Sequence, residues 1–221
     1  LRKFTQQHDG HIVYIGFGSM PAKSLEPWIS LFSQLLQEHH LFGIFQFHTT
    51  ASFHLLPSTS PPDNLLLLEN CFVPHDWLFS KCSLIVHHGG AGTTALSLMR
   101  GVPLIIYPLL ADQFYWSWRV AHLQISPPDP IALCQLNEHN FREKIQYCIK
   151  HRDLLQKNAE KIAQALIDET ISLPKRTLIW ISDRIKKDHN PSKSIRLNWQ
   201  FESDACAACA YKFFWFSLEE N

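Results

Sequence analysis

A strand, a glycine turn and a helix start occur in immediate succession, and this stretch constrains the chain more than any other. Residues 83–86 form an apolar run ending in His87-His88, then come Gly89-Gly90-Ala91-Gly92, and Thr93-Thr94 opens a segment of helical character. Glycine lets the backbone approach a ligand because it has no Cβ and tolerates dihedrals that other residues avoid. The first N–H groups of the helix have no intrahelical partner, so they face outward as donors, and the helix dipole favours an anion there. Residues 87–94 therefore read as an anion site.

The rest of the first 120 residues repeats the strand-then-helix alternation. Residues 11–17 (HIVYIGF), 42–47, 65–68, 83–87 and 104–107 read as strands. Helices are expected over 21–40, 76–80, 93–100 and 114–121, with Gly101 as a C-terminal cap. Residues 49–64 are rich in Ser, Thr and Pro and read as a loop. This alternation predicts an α/β fold, a Rossmann-like parallel sheet with helices on both faces. Ligands of such sheets bind outside the carboxyl ends of the strands. Ser19, Phe72, residues 87–92 and Asp112 each follow an expected strand, so they should converge on one edge.

Beyond the turn Pro127-Pro128-Asp129-Pro130 the character becomes helical. Residues 137–151 and 153–169 are amphipathic, with Leu155, Ala159, Ile162 and Leu166 as the apolar stripe of the second, and 178–185 suggest one more helix. Residues 1–10 form a polar lead-in, and from Asp188 onward no coherent period exists.

Composition removes some classes of function. Apolar residues make up 46%, enough for a sizeable core. Lys+Arg and Asp+Glu balance at 20 each, so the basic excess of a nucleic-acid-binding protein is missing. The longest apolar run, residues 102–111, contains two prolines and is far short of the about 20 residues that cross a membrane. The six cysteines are scattered and read as reduced thiols. Cys206 and Cys209 form the one CxxC, without the second pair that a zinc site would need. The aromatic cluster at 211–216 leaves a membrane or partner contact open beside loose packing.

The combination VPHDWLF at 73–79, HHGGAGTT at 87–94, GVP at 101–103, Pro108 and DQF at 112–114 resembles the donor-binding signature of family 1 glycosyltransferases. Within that family it looks most like the sterol glucosyltransferases. The resemblance covers about residues 10–170 and implies the C-terminal, donor-binding half of a two-domain GT-B enzyme. Residues 1–10 would then lead in from a missing N-terminal acceptor domain, residues 11–185 would be the donor domain, and 186–221 an irregular tail. The missing half carries the family's catalytic histidine, and no spare His-Asp pair stands out in this chain.

The resemblance assigns roles residue by residue. His87 and the turn at Gly89, Gly90, Ala91, Gly92, Thr93 and Thr94 would bind the donor diphosphate, where charge develops on the leaving group. A charge-assisted hydrogen bond contributes roughly 1.5–3 kcal/mol, and a helix N-terminus about 0.3–1 kcal/mol. Together they would replace a metal ion; the site is expected to need no metal and no cofactor, with the UDP-sugar as co-substrate. His88 reads as structural, because neighbours on a strand point to opposite faces and rarely chelate one ion. Asp112 and Gln113 would hold the donor sugar, with an Asp112 helix cap as the plainer alternative. Phe72 would stack on uracil and the Val73 backbone would bond the base, or Phe72 is simply core. Ser19 would reach the phosphates, or is an ordinary turn serine. Trp77, Trp116 and Trp118 read as core or interdomain aromatics. Plant-type members carry a ribose-binding Glu after the glycine turn. Here that region is Thr94-Ala95-Leu96, so the ribose contact must come from elsewhere.

The implied activity is inverting transfer of glucose from UDP-glucose to a sterol or similar lipid hydroxyl, in the cytoplasm, with peripheral membrane contact left open. A macrolide or other lipophilic aglycone is the second reading, and a non-catalytic nucleotide-sugar-binding domain the third. A dehydrogenase is disfavoured because no GxGxxG follows the first strand.

Overall fold

The computed structural model describes residues 1–18, 26–48 and 62–187. Ser19, most of the 49–64 loop, Cys206, Cys209 and nearly all of the 186–221 tail lie outside the described residues. The chain falls into two compact units, Leu1–Gln164 and Ala165–Asn221, and the sheet belongs to the first.

Five strands form one parallel sheet: β1 (Ile12–Gly16), β2 (Phe42–Phe47), β3 (Leu65–Glu69), β4 (Leu84–His87) and β5 (Leu104–Ile106). Their order is β3-β2-β1-β4-β5. The chain builds outward from β1 to one edge, then returns to β4 on the other side. This reversal opens a crevice between the carboxyl ends of β1 and β4. Register pairs Gly16 with Gln46 on one side and with His87 on the other. The expected α/β Rossmann-like sheet is present.

β1, β4 and β5 are buried at every position, as continuous apolar runs in a two-sided parallel sheet should be. Helix α2 (Glu26–Glu38) packs Ile29, Phe32, Leu35 and Leu36 against Val13, Phe45 and Leu65. Helix α6 (Glu138–Lys150) adds Phe141 and Ile145, with ring centroids of Phe32 and Phe141 4.7 Å apart. Burying each of these side chains contributes about 1.5–3 kcal/mol. Asn137 starts α6 with a reciprocal capping box to Asn140, both bonds 3.0 Å.

Short helices α3 (His75–Phe79) and α4 (Ala91–Met99) follow β3 and β4, and α5 (Gln113–His122) follows β5. Gly101 closes α4 as expected. With φ +64 it donates to Leu98 while Val102 donates to Ser97, the two bonds of a Schellman turn.

Several elements differ from the sequence reading. Helix α1 (Arg2–Gln7) occupies the polar lead-in, where Phe4 packs edge-on against His8 and Phe42. A single 3-10 turn, Leu133–Gln135, precedes α6. Helix α7 (Arg152–Lys187) absorbs the separate helix expected at 178–185. Its buried stripe is Leu155, Ala159 and Ala163, so the apolar face is set one residue later than Ile162. Among the described residues no helix is long and apolar enough to cross a membrane.

Candidate functional site

The carboxyl ends of β1 and β4 place Gly16-Phe17-Gly18 beside His87-His88. His87, the last residue of β4, is 0% exposed. Its Nδ1 accepts the Gly89 N–H at 3.0 Å, which puts the proton of the neutral ring on Nε2. That Nε2 is buried without a hydrogen-bond partner. Burial, followed by the neighbouring His88 and His75, pushes its pKa down to about 3, so the ring is uncharged.

His88 is the partly exposed member of the pair. A Cβ added at Gly18 would lie 3.0 Å from His88 Cε1, and one added at Gly90 would lie 2.8 Å from His88 Nε2. The imidazole thus sits between two glycines whose missing side chains make its room. Burial lowers its pKa, and the Asp112 carboxylate opposes that shift. The sequence reading gave the ligand-facing role to His87 and a structural one to His88. In the structure His87, the last residue of β4, is fully enclosed, and His88 is partly exposed.

Gly89 holds φ +89, a left-handed conformation that other residues rarely adopt, and an added Cβ would meet Ile106 Cγ2 at 2.7 Å. Gly90 caps α4 without a side-chain bond. Thr94 donates its N–H to the Gly90 carbonyl at 2.9 Å, and its buried hydroxyl donates to the same oxygen at 3.0 Å. The expectation that the amides of Gly90 to Thr94 face a ligand is thereby narrowed at Thr94. Gly89 and Thr94 amides are committed within the fold, and Ala91, Gly92 and Thr93 occupy the first turn, where amides lack helical partners.

Asp112 and Gln113 approach this turn directly. A Cβ on Gly89 would come within 3.3 Å of both the Cβ and the carbonyl oxygen of Gln113. Asp112 is exposed at the head of α5, and its Oδ2 accepts the Trp116 indole N–H at 2.9 Å. It occupies the N-cap position of α5, as the helix-cap alternative expected, but makes no side-chain cap bond. Gln113 is 8% exposed, and its Oε1 accepts the N–H groups of Leu109 and Leu110 at 2.8 and 3.1 Å. The Gln113 carbonyl therefore shapes the loop, which leaves only the amide nitrogen for a ligand. Ala111 in that loop takes φ +53.

Phe72 is 95% exposed, which rules out its reading as a core residue, while Val73 beside it is buried. Trp116 is core, whereas Trp118 stacks on His122 at the surface. Ser19 falls outside the described residues. A polar cluster that the sequence reading missed joins Tyr14 from the middle of β1, Gln46 from near the end of β2 and His75 at the start of α3. One signal for it was available: Gln46 is the lone polar residue in the strand FGIFQF.

Residues 53–178 match the family model described as erythromycin biosynthesis protein CIII-like, C-terminal domain. The chain is 33% identical over 208 residues to the Arabidopsis thaliana sterol 3-beta-glucosyltransferase UGT80B1, covering 89% of this chain and 33% of that protein. It is 37% identical over 157 residues to UGT80A2 of the same plant, covering 71% of this chain and 23% of that one. It spans about a third or less of the length of these relatives. Among solved structures, Phytolacca americana UGT2 complexed with UDP-2fluoro-glucose and pterostilbene superposes with a TM-score of 0.58 at 18% identity. That match covers 74% of this chain and 39% of that one, a likeness of fold. On the family match, with the sheet and glycine turn to go with it, this chain belongs to the CIII-like C-terminal domain family, the C-terminal domain of family 1 glycosyltransferases.

Proposed function

We propose that this domain binds the donor in an inverting glycosyltransferase that moves glucose from UDP-glucose to a sterol or similar lipid hydroxyl. The observation that carries the reading is the placement of His88, between Gly18 and Gly90 and in the field of Asp112, at the switch point of the sheet. The diphosphate would lie against the His88 ring and the Ala91, Gly92 and Thr93 amides. His87 would act from beneath, holding the turn through Gly89. Asp112 would take sugar hydroxyls, helped by the Gln113 amide nitrogen, and Phe72 would stack on the uracil beside the Val73 backbone. Ser19 would complete the phosphate contacts.

The step is a single displacement. The acceptor oxygen bonds to the anomeric carbon as the bond from that carbon to the diphosphate oxygen breaks. The bonding pair leaves on UDP, and the acceptor proton passes to a base in an acceptor-binding half. This domain's share is to stabilise the charge developing on the leaving group with preorganised donors. Because the His87 ring is fully enclosed and His88 is partly exposed, that stabilisation would fall to His88 and the helix amides, with no metal ion in the account. Exposed Leu109, Leu110 and Phe114 flank Asp112 and offer apolar surface beside the sugar, in keeping with a lipophilic acceptor. The family model's erythromycin reference favours a macrolide-type aglycone as the second reading.

Calorimetric titration of the chain with UDP-glucose, UDP and TDP-glucose, with and without EDTA, tests the proposal. Saturable binding that prefers uridine and survives EDTA is expected. Absence of binding to any of the three, or a strict metal requirement, would overturn it.

A further inference from the structure

At the amino ends of β1 and β4, away from the glycine turn, an open cavity of about 540 Å³ lies between α1 and α3. Arg2, Thr5, Gln6 and Asp9 line it from α1 and the turn after it, and Trp77 and Lys81 line it from α3 and just beyond. The topology sets these walls side by side. β1 and β4 are hydrogen-bonded neighbours, with Val13 paired to Leu84. Asp9 comes three residues before Ile12, which opens β1, and Lys81 three before Leu84, which opens β4. Four steps along β1, at about 3.3 Å each, carry the chain from this end to Gly16 at the donor crevice.

The lining has a definite chemistry. Arg2 and Lys81 are cations and Asp9 is a carboxylate, which leaves a surplus of one positive charge. Among the described residues none of the three forms an ion pair; the pairs present are Arg100–Asp76, Arg142–Glu38 and Arg142–Glu138. Two unpaired cations from separate segments that border one space can converge on one anion, and such charge-assisted bonds are the strong ones. Trp77 is half-buried, so it gives the cavity a flat apolar wall and an indole N–H at its edge. Thr5, 2% exposed, donates its hydroxyl proton to the Arg2 carbonyl at 3.0 Å, and its oxygen is left to accept. A volume of this size falls within the about 300–1,000 Å³ of small-molecule sites.

We propose that this cavity binds a flat aromatic carboxylate, with the ring against Trp77 and the carboxylate held by Arg2 and Lys81. The single surplus charge suits a monoanion, whereas Asp9 opposes a doubly charged phosphate. Asp9 and the Thr5 oxygen are the acceptors for a hydroxyl or amine on the ring. The site lies at the other end of the strands from the nucleotide crevice, and the inference does not depend on the donor-site reading.

The test uses 2-naphthoate, its neutral counterpart 2-naphthamide, and acetate as an anion without a ring. Each is titrated by calorimetry into the chain with excess UDP present, so that the crevice is occupied. The acid should bind saturably and roughly tenfold more tightly than the amide, the low end of the range for a hydrogen bond to a charged group. Acetate should bind more weakly than the acid. Arg2→Gln and Lys81→Gln, both surface changes, should each cut the acid-to-amide ratio severalfold. Trp77→Leu should weaken both aromatic probes and leave their ratio in place. In the unmodified chain 2-naphthoate should shift the indole N–H NMR signal that Trp77→Leu deletes. No saturable binding of 2-naphthoate, its displacement by UDP, an unmoved Trp77 signal, or an unchanged ratio in Arg2→Gln and Lys81→Gln would overturn the proposal.

Discussion

His87 Nδ1 accepts the Gly89 N–H across 3.0 Å, so a fully buried ring holds the first residue of the glycine turn. This bond makes His87 a support for the site. His87→Leu deletes the acceptor and strands a buried N–H, which costs about 1–3 kcal/mol. His87→Asn offers a carbonyl in its place and should cost less. Urea unfolding of the two variants, each against the unmodified chain, checks the order, and equal losses would contradict the bond's importance.

Gly89 is the turn residue that tolerates least. Gly89→Ala forces a Cβ into a positive-φ conformation and against Ile106. The left-handed backbone alone costs about 1–2 kcal/mol, and the contact adds to it. A loss of stability together with a loss of UDP affinity is expected, because the Gly89 Cβ would also press on Gln113. Gly92→Ala is the control: an added Cβ there meets nothing within 4 Å, so stability should hold.

His88 and Asp112 should separate two parts of the donor. His88→Ala should weaken UDP binding by about 1.5–3 kcal/mol, the range for hydrogen bonds to charged groups, and leave uridine binding unchanged. Asp112→Asn keeps an oxygen for the Trp116 indole and should leave UDP affinity intact while erasing any preference for UDP-glucose. Titrations with uridine, UDP and UDP-glucose distinguish these outcomes. A uniform loss across all three ligands in either variant would contradict the assigned roles.

Stability should fall with acid before the carboxylates titrate. His75, His87 and His88 all have folded pKa values below the ordinary imidazole value, with burial as the leading cause. Between the unfolded value of 6.5 and the folded value of about 3 for His87, the unfolded chain binds more protons than the folded one. Stability therefore declines as pH drops from 6.5 towards 3, and these three rings add no slope above 6.5. Urea midpoints measured from pH 8 to pH 5 should be flat and then fall, and His87→Phe should flatten the acid limb. A midpoint that rose on acidification from pH 6.5 to 5 would contradict the burial argument.

The sheet was legible because each strand is an apolar run bounded by Gly, Pro or a polar turn. Residues 42–47 were found without error, and the others to within one residue at each end. The glycine turn was legible for the same local reason. Which histidine is enclosed was not, because alternation along a strand fixes opposite faces without saying which is which; the structure buries His87, which holds the Gly89 N–H, and leaves His88 partly exposed. The Tyr14–Gln46–His75 cluster joins three separated segments, so no local pattern announces it. A second role of Gln113 was not legible either: its side-chain oxygen accepts the Leu109 and Leu110 amides, a bond set by a loop that no local pattern announces. Helix α7 overran the expected boundaries because it continues through Pro174, where sequence rules end a helix.

A crystal structure of the chain soaked with UDP-glucose tests the central claim most directly. The account predicts the diphosphate within hydrogen-bond distance of His88 and of the Ala91, Gly92 and Thr93 amides. The uracil should lie on Phe72, and the glucose should reach Asp112. Diphosphate density away from the β1–β4 crevice, or a nucleotide that contacts neither His88 nor the start of α4, would contradict it.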